Sequence, residues 1–366
     1  MLMTVEALNH ASTYLHSEWT MHEFFAGSGL VAYGLQGMFH PVWANDVSER
    51  KAAIYRANFQ HSHFVLGDIC KIRGNTIPYA HMSWASFPCQ DLSLAGSLGG
   101  IHGTRSGLVW EWLRILQEME RRPSILLVEN VVGLLSSSHG HNYEVLHSAL
   151  SGLGYKCGAM VVDASLFLPH SRPRVFIIAV EENASIPDNL VSKEPNWLHN
   201  KAAILLGKRL EKWIWWSTEK PVHQDMSLHD MMDDEAYVYN EKVLTLIPEK
   251  HLEKLQSYEN LVTTAYRRTR NGKQCLELRF DGLAGCLRTP EGGSSKQFVV
   301  TKYGDHIRAR LMSPREAARL MGAPDTYILP NSSTDGYKAM GDAVAVPVAQ
   351  FIGEKFLVPL AKAVYK

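Results

Sequence analysis

Short apolar, β-rich runs alternate with helical stretches along residues 22–180, and this alternation constrains the fold more than any other feature. The runs are His22–Phe25, Pro41–Asp46, Phe64–Ile69, Met82–Phe87, Ser124–Asn130, Met160–Ala164 and Val175–Val180. Helices are expected between several of them, over Leu30–Met38, Glu49–Asn58, Gly107–Arg121 and Asn142–Leu153. The connection at Lys71–Ala80 is shorter and less clear. Such a rhythm predicts an α/β fold with a mostly parallel sheet and helices on both faces. After Val180 it stops. Clustered tryptophans (Trp213, Trp215, Trp216), an acidic run at Asp230–Glu235 and Gly-rich turns point to a separate, irregular or β-rich domain. Ser313-Pro314-Arg315-Glu316 then opens a helix, with Ser313 as N-cap, and an apolar helix is expected over Val346–Phe356.

Length and charge bound the function. At roughly 150 residues per domain, 366 residues make two or three domains. Lys plus Arg and Asp plus Glu are equal at 37 each, which excludes a histone-like polycation but leaves room for a local basic face. The apolar runs are too short to cross a bilayer, and residues 1–20 show neither a secretory core nor a transit pattern. Five scattered cysteines without a CxxC make a disulfide framework or zinc site unexpected, and a reducing cytoplasm fits. The pairs His61/His63 and His139/His141 have no further ligands nearby and read as surface residues, so no metal is expected.

Ligands of such sheets sit outside the carboxyl ends of the strands, and four groups land there. Phe25-Ala26-Gly27-Ser28-Gly29 follows the first strand. Its next glycine is Gly34, so it is not a GxGxxG; it is a ligand loop or a plain turn. Asp46 ends the second strand, placed to accept ribose hydroxyls or to cap a helix, two compatible roles; Asp68, after the third, is placed to touch an adenine or cap a helix. Cys89, behind Phe87-Pro88, is placed as a nucleophile, the alternative being a buried structural thiol. Glu129 follows four apolar residues, where a carboxylate needs a task or an ion-pair partner. A thiolate, an acid and a nucleoside-binding edge suit attack on an electron-poor heterocycle, whose neighbouring carbon can then take a methyl group from a sulfonium.

These motifs resemble the bacterial-type cytosine-C5 DNA methyltransferases. The likeness rests on nine ordered blocks: Glu23–Gly29, Asn45-Asp46, Gly67–Ile69, Ser86–Ser93, Arg105–Leu108, Val128–Val131, Arg172–Phe176, Ser313–Gly322 and Gly341–Val348. It covers most of the chain except about 181–300. It implies a Rossmann-like S-adenosylmethionine-dependent sheet at 1–182, a target-recognition domain at 183–303, and a return to the catalytic domain at 304–366. By the same resemblance Cys89 attacks C6 of cytosine and Glu129 contacts N3 and the exocyclic amine. Arg172 and Arg174 are the pair that holds the flipped base and the cysteine loop. The implied cofactor contacts are Phe25, Gly27, Ser28, Gly29, Asp46, Val47, Asp68, Ile69, Pro88, Leu108, Asp342 and Ala343. The resemblance also implies that Gln90 and Ser93 fall on a loop that closes on DNA. Three positions depart from the family pattern: His170 replaces a usual Gln, Asp342 a usual Asn, and Val47 a usual Trp.

Tyr266–Arg315 carries eleven basic residues against four acidic ones, a local surplus suited to phosphates. Within it, Leu287–Gln297 resembles the recognition-loop region, with Arg288 and Gln297 as candidate base readers. The tryptophan cluster can stack on bases but suits a domain core better. The reading is therefore an S-adenosylmethionine-dependent enzyme, expected to be a cytoplasmic monomer, acting on short sites in double-stranded DNA. A restriction endonuclease partner or a phage-defence setting is implied by family alone. A transfer-RNA methyltransferase, a non-catalytic DNA-binding relative and an NAD-dependent oxidoreductase are the alternatives.

Overall fold

The structure is a computed structural model that describes residues 18–59, 63–88, 107–222, 225–233, 239–289 and 296–366. The chain folds into two compact units. The first comprises Met1–Val162, Pro173–Pro221 and Val348–Lys366; the second comprises Asp163–Arg172 and Val222–Pro347. These limits differ from the boundaries read in the sequence at 182/183 and 303/304. Residues 183–221 and 348–366 belong with the first sheet.

The first unit is built on seven strands: β1 (Trp19–Phe24), β2 (Phe39–Asp46), β3 (Phe64–Leu66), β4 (Met82–Ala85), β5 (Ile125–Val131), β6 (Tyr155–Asp163) and β7 (Pro173–Glu181). Their order is β3-β2-β1-β4-β5-β7-β6. The β1–β2, β1–β4, β2–β3 and β4–β5 pairs are parallel, whereas β5 and β7 are antiparallel. The sheet is therefore mixed. Helices α1 (Leu30–Gly34), α2 (Glu49–Asn58), α3 (Leu108–Glu118) and α4 (His141–Gly152) connect the strands. α1 is shorter than the sequence predicts, because the chain leaves it at Leu35 and turns through Gly37 at φ 78. β4 and β5 are buried nearly throughout, which explains why their sequences read as unbroken apolar runs.

α5 (Lys201–Gly207) and the tryptophans belong to this unit. Gly207 lies so close to Trp213 and Trp215 that a Cβ would stand 2.6 Å and 2.4 Å from their rings. Trp216 is fully buried and donates through Nε1 to Ile178 O of β7 at 3.3 Å. Trp216 is thus a core side chain of the first unit, and the half-buried Trp213 packs against its core.

The second unit holds an antiparallel sheet, ordered β11-β10-β8-β9, from β8 (Asn260–Arg270), β9 (Lys273–Leu278), β10 (Gln297–Tyr303) and β11 (His306–Leu311). Its own core gathers Leu255, Ala265, Leu276, Phe298, Val300 and Ala309. Helices α6 (Pro314–Arg319) and α7 (Ser333–Asp342) follow. Ser313 and Glu316 form the expected capping box at α6. Helix α8 (Val346–Ile352), which leads into the first unit, passes through a wider π-type turn at Gly353–Leu357 into α9 (Val358–Val364), so the helical run extends beyond the predicted end at Phe356. By length and composition alone the helical run Ser333–Val364 is long and apolar enough for a bilayer, which the apolar runs did not suggest; 61% of its apolar window is buried in the protein, as for a core helix.

Candidate active site

The parallel register brings five strand ends to one edge. Phe24 stands beside Asn45 and Ala85, Ala85 beside Val128, and Asp46 beside Leu66. The chain leaves β1 through three left-handed residues, Phe25 (φ 58), Gly27 (φ 58) and Gly29 (φ 88). Gly29 has no alternative: a Cβ there would meet Phe59 at 2.4 Å and Tyr55 at 2.8 Å. At Gly27 the same position has nothing nearer than 3.9 Å, so the backbone surface lies open to a ligand.

Asp46 braces this loop. Its carboxylate accepts from Gly27 N at 2.9 Å and from Ser48 N at 2.8 Å. The N-cap of α2 is Ser48 rather than Asp46. Each carboxylate oxygen keeps a further lone pair for a ribose hydroxyl. Glu23 lies buried beneath. Burial pushes its carboxyl up to about 8 against the opposing hydrogen bond from Tyr55, whose hydroxyl donates to Oε2 at 3.2 Å. Tyr55 also reaches His63 Nε2 at 3.0 Å, so His63 is no bystander on the surface.

Not every predicted cofactor contact is displayed alike. Asp68 is exposed and caps a short turn by accepting from Cys70 N, which holds its carboxyl below the usual range. Ile69 is buried in the core, while Val47 is 71% exposed. Ser28 is buried, and Leu108 opens α3 directly after Gly107.

Next along the edge, Glu129 pairs with Phe176 of β7, and Val131 with Arg174. Arg174 Nε stands 3.2 Å from Glu129 Oε1, and both side chains are largely buried. The ion pair foreseen as the structural alternative for Glu129 is present. It also presents a carboxylate and a guanidinium side by side. Asn130, which sequence reasoning passed over, donates to Phe87 O at 2.9 Å while its Oδ1 accepts from Val131 N. It ties the end of β5 to the residue before Pro88. Phe25 and Phe87 meet edge to face with centroids 6.4 Å apart. Cys89, Gln90 and Ser93 lie outside the described residues.

Comparison with known proteins bears directly on this edge. A family model described as C-5 cytosine-specific DNA methylase matches residues 19–357. The chain belongs to that family. It is a DNA (cytosine-5-)-methyltransferase. Among its relatives is the Type II methyltransferase M.Bsp6I of Bacillus sp. (strain RFL6), 28% identical over 338 residues, covering 90% of this chain and 96% of that protein. Another is the Type II methyltransferase M.HhaI of Haemophilus parahaemolyticus, 26% identical over 343 residues, covering 90% and 91%. The solved structure of S. pombe Dnmt2 methyltransferase shares the fold, with a TM-score of 0.62 at 18% identity over 93% of this chain and 99% of that one.

Within the methylase's second unit two of the predicted site residues are held on backbone groups. Arg172 is held by backbone carbonyls of its own unit. Its guanidinium is 2% exposed and donates to Leu287 O at 2.7 Å, Gly341 O at 2.8 Å and Ala343 O at 2.7 Å. Gln297 is not free to read a base edge. Its amide is buried against Gly285, with Oε1 accepting from Gly285 N at 3.1 Å and Nε2 donating to Gly285 O at 2.6 Å. Arg288 is exposed and remains available. Asp342 accepts a hydrogen bond from the Thr289 hydroxyl, and Ala343 serves Arg172 through its carbonyl. Gly341 is required where it stands, because a Cβ would lie 2.5 Å from the Arg288 backbone.

The basic surplus is also smaller in effect than its count. Arg268 and Arg270 sit on Glu277, Arg279 on Asp281, and Arg310 on Glu316. Lys302 and Arg315 are bound to backbone carbonyls. Among the described residues no group of three or more His, Cys, Asp or Glu could hold a metal ion.

Proposed function

We propose that the methylase takes its methyl group from S-adenosylmethionine and places it on C5 of a cytosine flipped out of a short, specific duplex DNA site. The observation that carries this is the register of β1, β2, β4 and β5. It sets the open Gly27 loop, Asp46, Phe87–Pro88 and the Glu129–Arg174 pair along one edge. The loop fits the cofactor: an open backbone at Gly27, an acceptor at Asp46 and an aromatic ring at Phe25. Phe25, Gly27, Ser28, Gly29, Asp46, Val47, Asp68, Ile69, Pro88 and Leu108 are the proposed contacts, with Asp342 and Ala343 added by resemblance. The bound cofactor supplies an electrophilic methyl group on a sulfonium.

A base inside a duplex is out of reach, so extrusion comes first, at a cost of a few kcal/mol. The Cys89 thiolate bonds to C6. Glu129, carrying a proton, donates it to N3 while its other oxygen accepts from the exocyclic amine, so that the electron pair displaced from the C5–C6 bond is stabilised on the ring and C5 becomes nucleophilic; the N3 proton returns to Glu129 when the adduct breaks down. Arg174 holds Glu129 in place. After methylation the C5 proton leaves to a water, the S–C6 bond breaks, and the thiolate is regenerated. Gln90 and Ser93 are proposed DNA contacts beside Cys89, and Arg288 a base reader. The proposed division of labour is a catalytic first unit and a DNA-reading second unit. The relatives' designation as Type II methyltransferases supports a restriction or defence setting, and a cytoplasmic location is proposed with it.

The test is bisulfite sequencing of plasmid DNA from a methylase-free host expressing the protein, with Cys89→Ala as control. The expected result is 5-methylcytosine confined to one short motif and absent from the control. Soluble, cofactor-binding protein that leaves DNA unmethylated but methylates transfer RNA would overturn the DNA reading.

A further inference from the structure

In the second unit the irregular stretch Ala284–Leu287 has its backbone gripped from several sides. Ala284 N donates to Pro169 O at 2.7 Å, and Ala284 O accepts from Ser171 N at 2.9 Å. Gly285 uses both backbone groups on Gln297, and Cys286 O accepts from the Tyr266 hydroxyl. Gly285 is pinned besides, since a Cβ would stand 2.3 Å from the Tyr266 ring. Leu287 O takes Arg172, and Leu287 N donates to His170 Nε2 at 3.2 Å.

His170 reaches a second distant backbone group as well. It is fully buried, and its Nδ1 lies 2.8 Å from Leu320 O, just past α6. A carbonyl can only accept, so Nδ1 carries the hydrogen and Nε2 is left to accept from Leu287 N. One neutral tautomer thus ties the end of α6 to the residue before the exposed Arg288.

We propose that His170 is a positioning residue for target selection: through Leu287 it sets where Arg288 stands, and so tunes DNA recognition without touching DNA or cofactor. This rests on the reading of Tyr266–Arg315 as the DNA-reading segment. A side-chain amide has one donor and one acceptor group, so His170→Gln can serve both partners, whereas His170→Ala serves neither.

The experiment compares wild type, His170→Ala and His170→Gln by bisulfite sequencing and by KM for duplex DNA and for S-adenosylmethionine. For His170→Ala the expected result is a relaxed motif or a KM for DNA raised about tenfold, the equivalent of one lost buried hydrogen bond. KM for the cofactor stays within about twofold, and His170→Gln restores both readouts. An unchanged motif with unchanged KM for DNA overturns the proposal, as does a parallel loss of cofactor affinity. If His170→Ala fails to fold, His170→Asn, an amide too short to span both partners, replaces it and the same outcomes decide. A wild-type protein that methylates no DNA motif would instead sink the functional reading itself.

Discussion

Glu129 and Arg174 show how one side chain can be both structural and chemical. Their contact keeps a carboxylate tolerable in a largely buried place, and the same contact aims it at the strand edge. Glu129→Gln keeps the shape and removes the charge. It is expected to lower kcat by about 10²–10⁴ in single-turnover methylation, with cofactor affinity unchanged by calorimetry. Asp46→Asn should divide the effects the other way. The amide keeps one acceptor and loses the other, so the Gly27 loop loosens and cofactor Kd rises about tenfold or more, while kcat at saturating cofactor is kept. Equal losses in both quantities would contradict that separation. Glu23 gives a pH signature. Folded, it holds its proton up to about pH 8, against an ordinary value of 4.5. The folded state therefore binds the extra proton across that interval, and stability falls as pH rises through it, by at most about 1.4 kcal/mol per unit. His22 acts oppositely. Burial lowers it from 6.5 to about 4, so its contribution is lost as pH falls through that window. Between about 6.5 and 8 Glu23 acts without that opposition. Glu23→Gln should flatten the decline there in denaturant unfolding measured across pH; an unaltered slope would show that another group causes it.

At the scale of elements, α6 is held by its cap and by a buried ion pair. Glu316 accepts from Ser313 N and receives two guanidinium hydrogen bonds from Arg310 of β11, at 2.6 and 2.8 Å, with both side chains almost wholly buried. Removing one partner strands the other charge away from water. Glu316→Ala is expected to cost about 3–5 kcal/mol in equilibrium unfolding, whereas Arg310→Met with Glu316→Leu should cost much less. A double variant as unstable as the single one would mean that the pair itself, and not the stranded charge, sets the cost. The helix is legible in the sequence, because Ser313, Pro314 and Glu316 are a local code read within one turn. The partner of Glu316 is not. Arg310 sits in a strand whose pairing is set by register, and a register is decided only when the sheet assembles.

Across the whole molecule, charge behaves differently in space than in sequence. Of the eleven basic residues between Tyr266 and Arg315, only Arg267, Lys273, Arg288, Lys296 and Arg308 lack a carboxylate or carbonyl partner among the described residues. With each phosphate contact worth about −0.9 in the slope of log K against log salt, this segment should contribute no more than about −4.5. Binding to duplex DNA at several salt concentrations checks this; a slope near −10 would place further phosphate contacts outside it. The strand–helix alternation, the glycine loop and the positions of Asp46, Glu129 and the Ser313 cap were all determined by the sequence itself. Each is written within a few neighbouring residues, where periodicity and backbone sterics act. The tasks of Arg172, Gln297, Asn130 and His170 were decided only by the tertiary structure. Arg172 and Gln297 look like DNA-facing side chains in the sequence, yet both are buried on backbone carbonyls or amides far along the chain. A long polar side chain goes wherever folding leaves a backbone group without water, and no local pattern records which distant groups those will be.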